Sequence, residues 1–348
     1  MAIQGQFKQD APRFNSIING DMVIWARGTT INATSTPVAN NDDTYICDRW
    51  ILLSDGNDIV DVGRSTDAPD GGSQYSVDLD VETIDKKFGI AQIIEGVNCH
   101  NLIGESCSLS FKAKVAGSGK LDNVKAGIVA WSGTLDSVTS DIVSAWGVED
   151  TNPTLIANAT FENTPANLSV TTSWVEYKIE NIDIDTASTA NVIVFIWSDV
   201  TDTDLGDSLY ITDVQITPTR KARKFDRHPI ETTASDCERY YESSMDWGTV
   251  GQYQGQQVKM GVGSASHGTA TGNCGGNRYN TRKRATPTVT LYHQDGTSGA
   301  VYTIHNAAKI TGVVAQHLNS YGYLFAAKAS AFNQSYGYYY GWIAEAEL

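Results

Sequence analysis

The sequence lacks the marks of several broad classes. It contains no C-x-x-C pair, and its five cysteines, at positions 47, 99, 107, 237 and 274, are scattered and odd in number, which argues against a disulfide scaffold or a zinc site. No apolar run approaches the length of a membrane span, so no membrane insertion is expected. The opening MAIQGQFKQDAPRFN has no apolar h-region, and the expectation is synthesis in a reducing cytoplasm without a signal peptide. Basic charge is scarce: 25 Lys and Arg stand against 40 Asp and Glu, for a net charge of -15, the wrong field for a duplex nucleic acid. No tandem repeat of fixed period is visible. Helical periodicity is almost absent.

What is present is strand-like. In SCSLSFKAKV, Cys107, Leu109, Phe111, Ala113 and Val115 fall on one face and serines and lysines on the other, the pattern of a half-buried strand. NVIVFIWSD (191–199) is apolar on both faces and β-branched, which predicts a central strand. In SLYITDVQIT the apolar parity changes between Ile211 and Val214, and a β-bulge near Thr212 and Asp213 would restore a common inward face. Turn clusters such as SDGND, APDGGS and DTDLGD separate these runs. The fold class expected is all-β: an antiparallel jelly-roll β-sandwich, a short helical connector, then a smaller C-terminal β-domain.

The connector follows a basic stretch, TPTRKARKFDRHP (217–229). Its cations suit contact with acidic sandwich surface or, equally, a solvated linker. Beyond it Ile230, Ala234, Cys237 and Tyr241 recur at spacings of four, three and four, one side of a helix, with Thr232 or Thr233 available to cap its start. From Met245 onward Gly, Ser, Tyr and Thr rise.

Five segments, in order, resemble a known family. NSIINGDMVIWARGTT (15–30) with YICDRWIL (45–52), IAQIIEGVNCHNLIGESCSLSFKAKV (90–115), DSLYITDVQITP, ARKFDRHPIETTASDCERYYE and the pair KRATPTVTLYHQDG and YYYGWIAEAEL are similar to tailed-bacteriophage fibre proteins carrying a jelly roll like carbohydrate-binding modules. The sequence departs from that wording at Ala222–Asp226 and at Asp236–Glu238. The resemblance implies an N-terminal anchoring peptide at 1–15, a jelly roll at 16–217, a basic linker and connector helix at 218–244, and a β tip domain at 245–348. It implies a structural fibre at the virion surface, a tail fibre or receptor-binding protein whose partners are phage tail or capsid proteins and a host-surface polysaccharide or envelope receptor. A head fibre or capsid decoration protein is the alternative, and a capsule-degrading glycosidase a weaker third reading.

Candidate chemistry is sparse. Cys237 could be a nucleophile only with a base and a lowered pKa, but Asp236 and Glu238 flank it, so a packing role with Ile230, Ala234, Tyr240 and Tyr241 is expected. GVGSASHGTATG is not G-x-S-x-G and reads as a glycine-rich loop; AGSGKLD lacks the first glycine of a phosphate loop and reads as a hairpin turn. No enzymatic activity and no cofactor are expected, although Asp202, Asp204 and Asp207 in DTDLGD leave structural calcium open. Sixteen tyrosines supply flat faces with hydroxyl handles. Those beside glycine turns, Tyr253, Tyr321 and Tyr323, together with His267, are the receptor-contact candidates, whereas Tyr336, Tyr338 and Tyr340 suit packing.

A C-terminal domain of about a hundred residues with sparse apolar strands predicts shared burial around a cyclic axis, as in a homotrimer. Light scattering of the full chain at micromolar concentration is expected to give three chain masses; a monomer mass contradicts it.

Overall fold

The computed structural model describes residues 15–244, 271–293, 295–303, 308–328 and 338–348. Turn-punctuated alternation through residue 217 produces β1 (Thr30–Ile31), β2 (Ile51–Ser54), β3 (Val60–Ser65), β4 (Ser76–Val81), β5 (Phe88–Ile94), β6 (Ser106–Ala116) and β7 (Val124–Trp131). These are followed by β8 (Val143–Ala145), β9 (Thr154–Leu155), β10 (Ala159–Phe161), β11 (Val175–Asp183), β12 (Asn191–Ser198) and β13 (Ser208–Thr217). A single helical turn, α1 (Gly96–Cys99), interrupts the series. Two antiparallel sheets result, one ordered β1-β3-β4-β13-β6-β11 and the other β10-β7-β12-β5-β2. Together they make a jelly-roll sandwich.

The apolar faces named from the sequence meet between the sheets. Leu109, Phe111, Ala113 and Val115 of β6 pack there against Ile90, Ile128, Val194 and Ile196. As its two-sided apolarity predicts, β12 is central, paired with β5 and β7, and is buried throughout. The β13 bulge is also present: its register against β6 shifts between Thr212 and Gln215, and Asp213 takes φ 52° there. That extra residue turns both Ile211 and Val214 inward. The AGSGK turn, by contrast, is not a hairpin; it carries the chain from β6 in one sheet to β7 in the other.

The two outer faces differ. That of the five-stranded sheet is closed by residues 132–161, whose Val138, Ile142, Val143 and Trp146 cover Phe195, Trp197 and Ile93. Buried Asp199 holds this cover by accepting from Lys125 Nζ (2.6 Å) and pairing with Lys87, whose Nζ also donates to Val148 O (2.6 Å) and Thr151 O (3.1 Å). The outer face of the six-stranded sheet is covered only in part: the segment after β13 and the one before β4 bury Gln215, Thr217, Thr212 and Asp213, while Lys112, Lys114 and Glu176 reach solvent.

After the sandwich come α2 (Ile230–Glu238) and β14 (Tyr241–Ser243), then β15 (Thr271–Arg278), β16 (Thr288–Tyr292), β17 (Ala300–Thr303), β18 (Ala308–Thr311), β19 (Val314–Asn319), β20 (Gly322–Lys328), β21 (Tyr338–Tyr339) and β22 (Gly341–Glu345). They form three-stranded sheets ordered β14-β22-β16, β15-β20-β19 and β18-β17-β21. A separate core of Leu291, Val301, Ile310, Val313, Phe325 and Trp342 lies among them.

The helix differs from expectation in three details. It ends at Glu238, so Tyr241, placed on its stripe by spacing, lies instead in β14. It begins at Ile230 with Pro229 as its N-cap, so neither Thr232 nor Thr233 caps it; the Thr233 amide bonds Pro229 O. Proline is pre-set for that boundary by its fixed φ. Ile230, at the helix start, is 46% exposed and does not join the packed stripe, whereas Ala234, Cys237, Tyr240 and Tyr241 are all buried. Ala234 and Cys237 pack on Ile24 of the sandwich.

The joint between sandwich and C-terminal domain is ionic and buried. Arg27 and Arg49, each 1% exposed, lie flat over Tyr241 and Tyr240, both at 3.7 Å from the ring centroid. The Glu347 carboxylate bridges the two guanidinium groups, with Arg27 Nη2 at 2.8 Å. Burial pushes Asp48 up to about 6 while Arg27 pulls it back; its carboxylate accepts the Ala26 amide at 2.6 Å. Arg239 donates from Nε and Nη2 to both oxygens of Glu95 (3.0 and 2.8 Å), and Tyr240 Oη adds a third bond (2.8 Å). Tyr45 Oη and Arg284 tie down the last backbone carbonyls. Asn19 and Gly20 seat the near side: a Cβ at Gly20 would lie 2.1 Å from Val214 O, so only glycine fits that turn.

Removing one partner of such a cluster leaves buried charge uncompensated. Glu347→Gln is expected to lower unfolding stability by about 3 kcal/mol in chemical denaturation. An unchanged midpoint contradicts the role assigned to the bridge.

Candidate functional site

The hairpin β19–β20 and the segment after β15 enclose an open groove of about 700 Å³ on the C-terminal domain. Its rim carries Tyr321, 58% exposed at the hairpin tip, where Asn319 Oδ1 accepts the amides of Tyr321 (2.8 Å) and Gly322 (3.2 Å). The Arg282 guanidinium sits 4.7 Å from the Tyr321 ring centroid, and its Nε donates to Ser320 Oγ (3.3 Å). The Asn319 bonds set the backbone of the turn, which presents the ring, with Arg282 against it, at the edge of a cavity. Asn280, Arg278 and His317 add amide, guanidinium and imidazole donors, while the buried Asn277 amide is engaged internally, its oxygen accepting from Trp342 Nε1 at 2.9 Å. No aspartate or glutamate lines the groove among the described residues. Beneath it Tyr279, Tyr323 and Trp342 pack with ring centroids 5.8–6.0 Å apart, a rigid floor. A flat ring beside amides and cations suits stacking and hydrogen bonding to a sugar; among the described residues no carboxylate pair of the kind glycoside hydrolysis uses lines it.

Of the four receptor-contact candidates, the structure brings Tyr321 and Tyr323 to this groove; Tyr253 and His267 lie outside the described residues. Tyr323 requires a correction, since it is 3% exposed and belongs to the aromatic floor. Tyr321 lies in the turn, while Tyr323, one residue into β20, faces the core. Tyr340 is buried as expected, 4.8 Å from Phe325 between ring centroids. Sequence reasoning missed Arg282, which carries no motif and meets Tyr321 only because the β15–β20 pairing brings the segment after β15 alongside the hairpin.

Cys237 is 1% exposed, and burial, with Asp48 nearby, pushes its thiol well above the ordinary value. The other described cysteines, Cys47, Cys99 and Cys107, are likewise free and buried, with Cys99 and Cys107 pushed up by burial to about 12. For calcium, Asp207 is engaged by the Ser118 amide (2.5 Å), the Ser118 hydroxyl (2.9 Å) and the Asp204 amide (2.9 Å). Asp204 pairs with Lys120 (2.9 Å), and Asp202 is exposed. No group of three or more His, Cys, Asp or Glu side chains is placed to share a metal among the described residues.

No protein-family model and no curated protein sequence matches the chain. Solved structures show distant likeness. The enzymatically active domain of bacteriophage CBA120 tailspike protein 4 is 17% identical with a TM-score of 0.35, the match covering 60% of this chain and 22% of that one. TmCBM61 in complex with β-1,4-galactotriose is 15% identical with a TM-score of 0.31, covering 59% of this chain and 99% of that one. The C-terminal family 22 carbohydrate-binding module of Clostridium thermocellum Xyn10B is 10% identical with a TM-score of 0.32, covering 53% and 94%. Identities and TM-scores this low transfer neither a site nor an activity.

Placing a hydroxyl where the buried Cys237 thiol packs loses apolar transfer energy and demands a new hydrogen bond. Cys237→Ser is expected to reduce stability by about 1–2 kcal/mol while leaving ligand binding intact. Loss of binding at an unchanged melting temperature contradicts the packing role.

Proposed function

We propose that this chain is a non-enzymatic attachment protein that binds a surface saccharide through the C-terminal groove, serving as a fibre on the virion of a tailed phage. The observation that carries the reading is the exposed Tyr321 ring, held by Arg282 at the mouth of a groove lined by amides and cations. Rings fixed in this way supply contact area at little entropic cost. The groove's lining, without carboxylates among the described residues, supports recognition over hydrolysis.

The phage assignment draws on the five sequence segments, and residues of four of them converge in space. Arg27 of WARG, Arg49 of DRW, Glu95 of the IEG segment, Arg239 and both tyrosines of ERYYE, and Glu347 of AEAEL all meet in the joint. What these segments encode, then, is a fixed seat for the C-terminal domain on the sandwich, as a fibre tip needs. In a homotrimer three such grooves would act together and multiply a weak monovalent affinity.

The test is a bacterial-glycan array probed with the full chain and with Tyr321→Ala and Arg282→Ala. Each substitution is expected to weaken the selected glycan roughly tenfold, the order of one lost stacking contact, with the melting temperature unchanged. Binding that survives both substitutions, or shortening of the glycan on incubation, contradicts the reading.

A further inference from the structure

We infer that the partly covered outer face of the six-stranded sheet carries a second binding site, one for a saccharide bearing carboxylates. Two cavities of about 490 and 540 Å³ adjoin there, sharing Lys112 and Glu176, so they form one groove across β6 and β11. Its walls are the loop 68–72 and the basic linker at 222–227.

One end is aromatic and fixed. Trp174 donates from Nε1 to Asp67 Oδ1 (2.9 Å) and meets Tyr210 edge-on at 6.4 Å and 70°. Lys114 pairs with the same Asp67 and holds its Nζ 4.7 Å from the Tyr210 ring centroid. The half-buried indole is thereby oriented before any ligand arrives.

The other end is cationic. Across both lobes six cationic side chains stand against three carboxylates, in a chain whose net charge is -15. The carboxylates are largely committed internally. Asp213, 4% exposed, pairs with Lys112 (2.9 Å) and Arg227 (3.4 Å) and accepts from Ser73, while Glu176 pairs with Lys178 (2.7 Å). Arg223 and Lys224 stand exposed on the linker wall. The linker is itself pinned, by Lys221 and the Ala222 amide to Glu180 and by Asp226 and Arg223 backbone groups to Gln215. The β13 bulge is what aims Asp213 at this groove. Glycine is needed at position 72, where a Cβ would lie 2.6 Å from Pro69 Cγ and 3.0 Å from Lys112 Nζ.

A fixed indole followed by cations along a groove matches a chain that alternates sugar faces with carboxylates. Bare phosphate polymers would use only the cations, and neutral glycans only the ring.

The experiment is calorimetry on the full chain at low salt with three probes: an oligogalacturonate, a neutral galactan oligosaccharide of equal length, and linear polyphosphate. The oligogalacturonate is expected to bind most tightly. The double reversal Arg223→Glu with Lys224→Glu is expected to weaken it roughly tenfold, as is Trp174→Ala. Both reversed positions are exposed, so an unchanged melting temperature serves as the folding control. Tyr321→Ala, in the other groove, is expected to leave this binding unchanged, which separates failure here from failure of the attachment reading. Equal binding of the neutral galactan, insensitivity to the charge reversal, or polyphosphate binding as tight and unmoved by Trp174→Ala would overturn the assignment.

Discussion

The whole arrangement depends on one carboxylate between two buried arginines. Glu347 lies 320 residues from Arg27 and 298 from Arg49, yet it closes the ion pairs on which both guanidinium groups rely inside a layer of tyrosine rings. Charges this deep are tolerable only when paired and stacked, so the cluster permits few alternative geometries. The sandwich and the C-terminal domain are therefore held by directional contacts, where an apolar patch alone would allow sliding. A groove at one end of the molecule has value for attachment only if its direction relative to the other end is set, and this cluster sets it.

The sandwich is asymmetric in the same functional sense. Its five-stranded face is sealed by residues 132–161 and by the Asp199–Lys87–Lys125 clamp, which places an aromatic-rich surface out of reach. Its six-stranded face is covered only in part, by the basic linker and the segment before β4, which leave a groove between them. The net charge of -15 sets a negative field over the molecule, while cations concentrate at two grooves. Both grooves pair a held aromatic ring with positive or amide groups, the chemistry expected of surfaces that meet saccharides.

Much of the fold was legible because it is local. The faces of 106–116, the central position of 191–198 and the bulge at Asp213 follow from period-two patterning and its single break. The connector helix followed from spacing, but its cap and the exposure of Ile230 follow from a start directly after Pro229, which puts Ile230 in the first, solvent-facing turn. The glycine signature of AGSGK is the same for a hairpin as for a passage between sheets, and only strand pairing tells them apart. Tyr321 and Tyr323 look alike in sequence, each beside Gly322, yet Tyr321 sits in the turn before β20 and faces solvent, while Tyr323 lies within the strand and packs beneath the groove. The joint was visible as quoted segments without a purpose, because its meaning lies in contacts between residues hundreds of positions apart.

Hydrogen–deuterium exchange of the full chain, with and without the saccharide it selects from a glycan array, addresses the central claim directly. Attachment through the C-terminal groove predicts protection at residues 277–282 and 317–324, with the joint around Arg27, Arg49 and Glu347 already protected in the free protein. Protection that appears elsewhere while those segments stay unchanged, or a joint that exchanges freely before ligand is added, would contradict it.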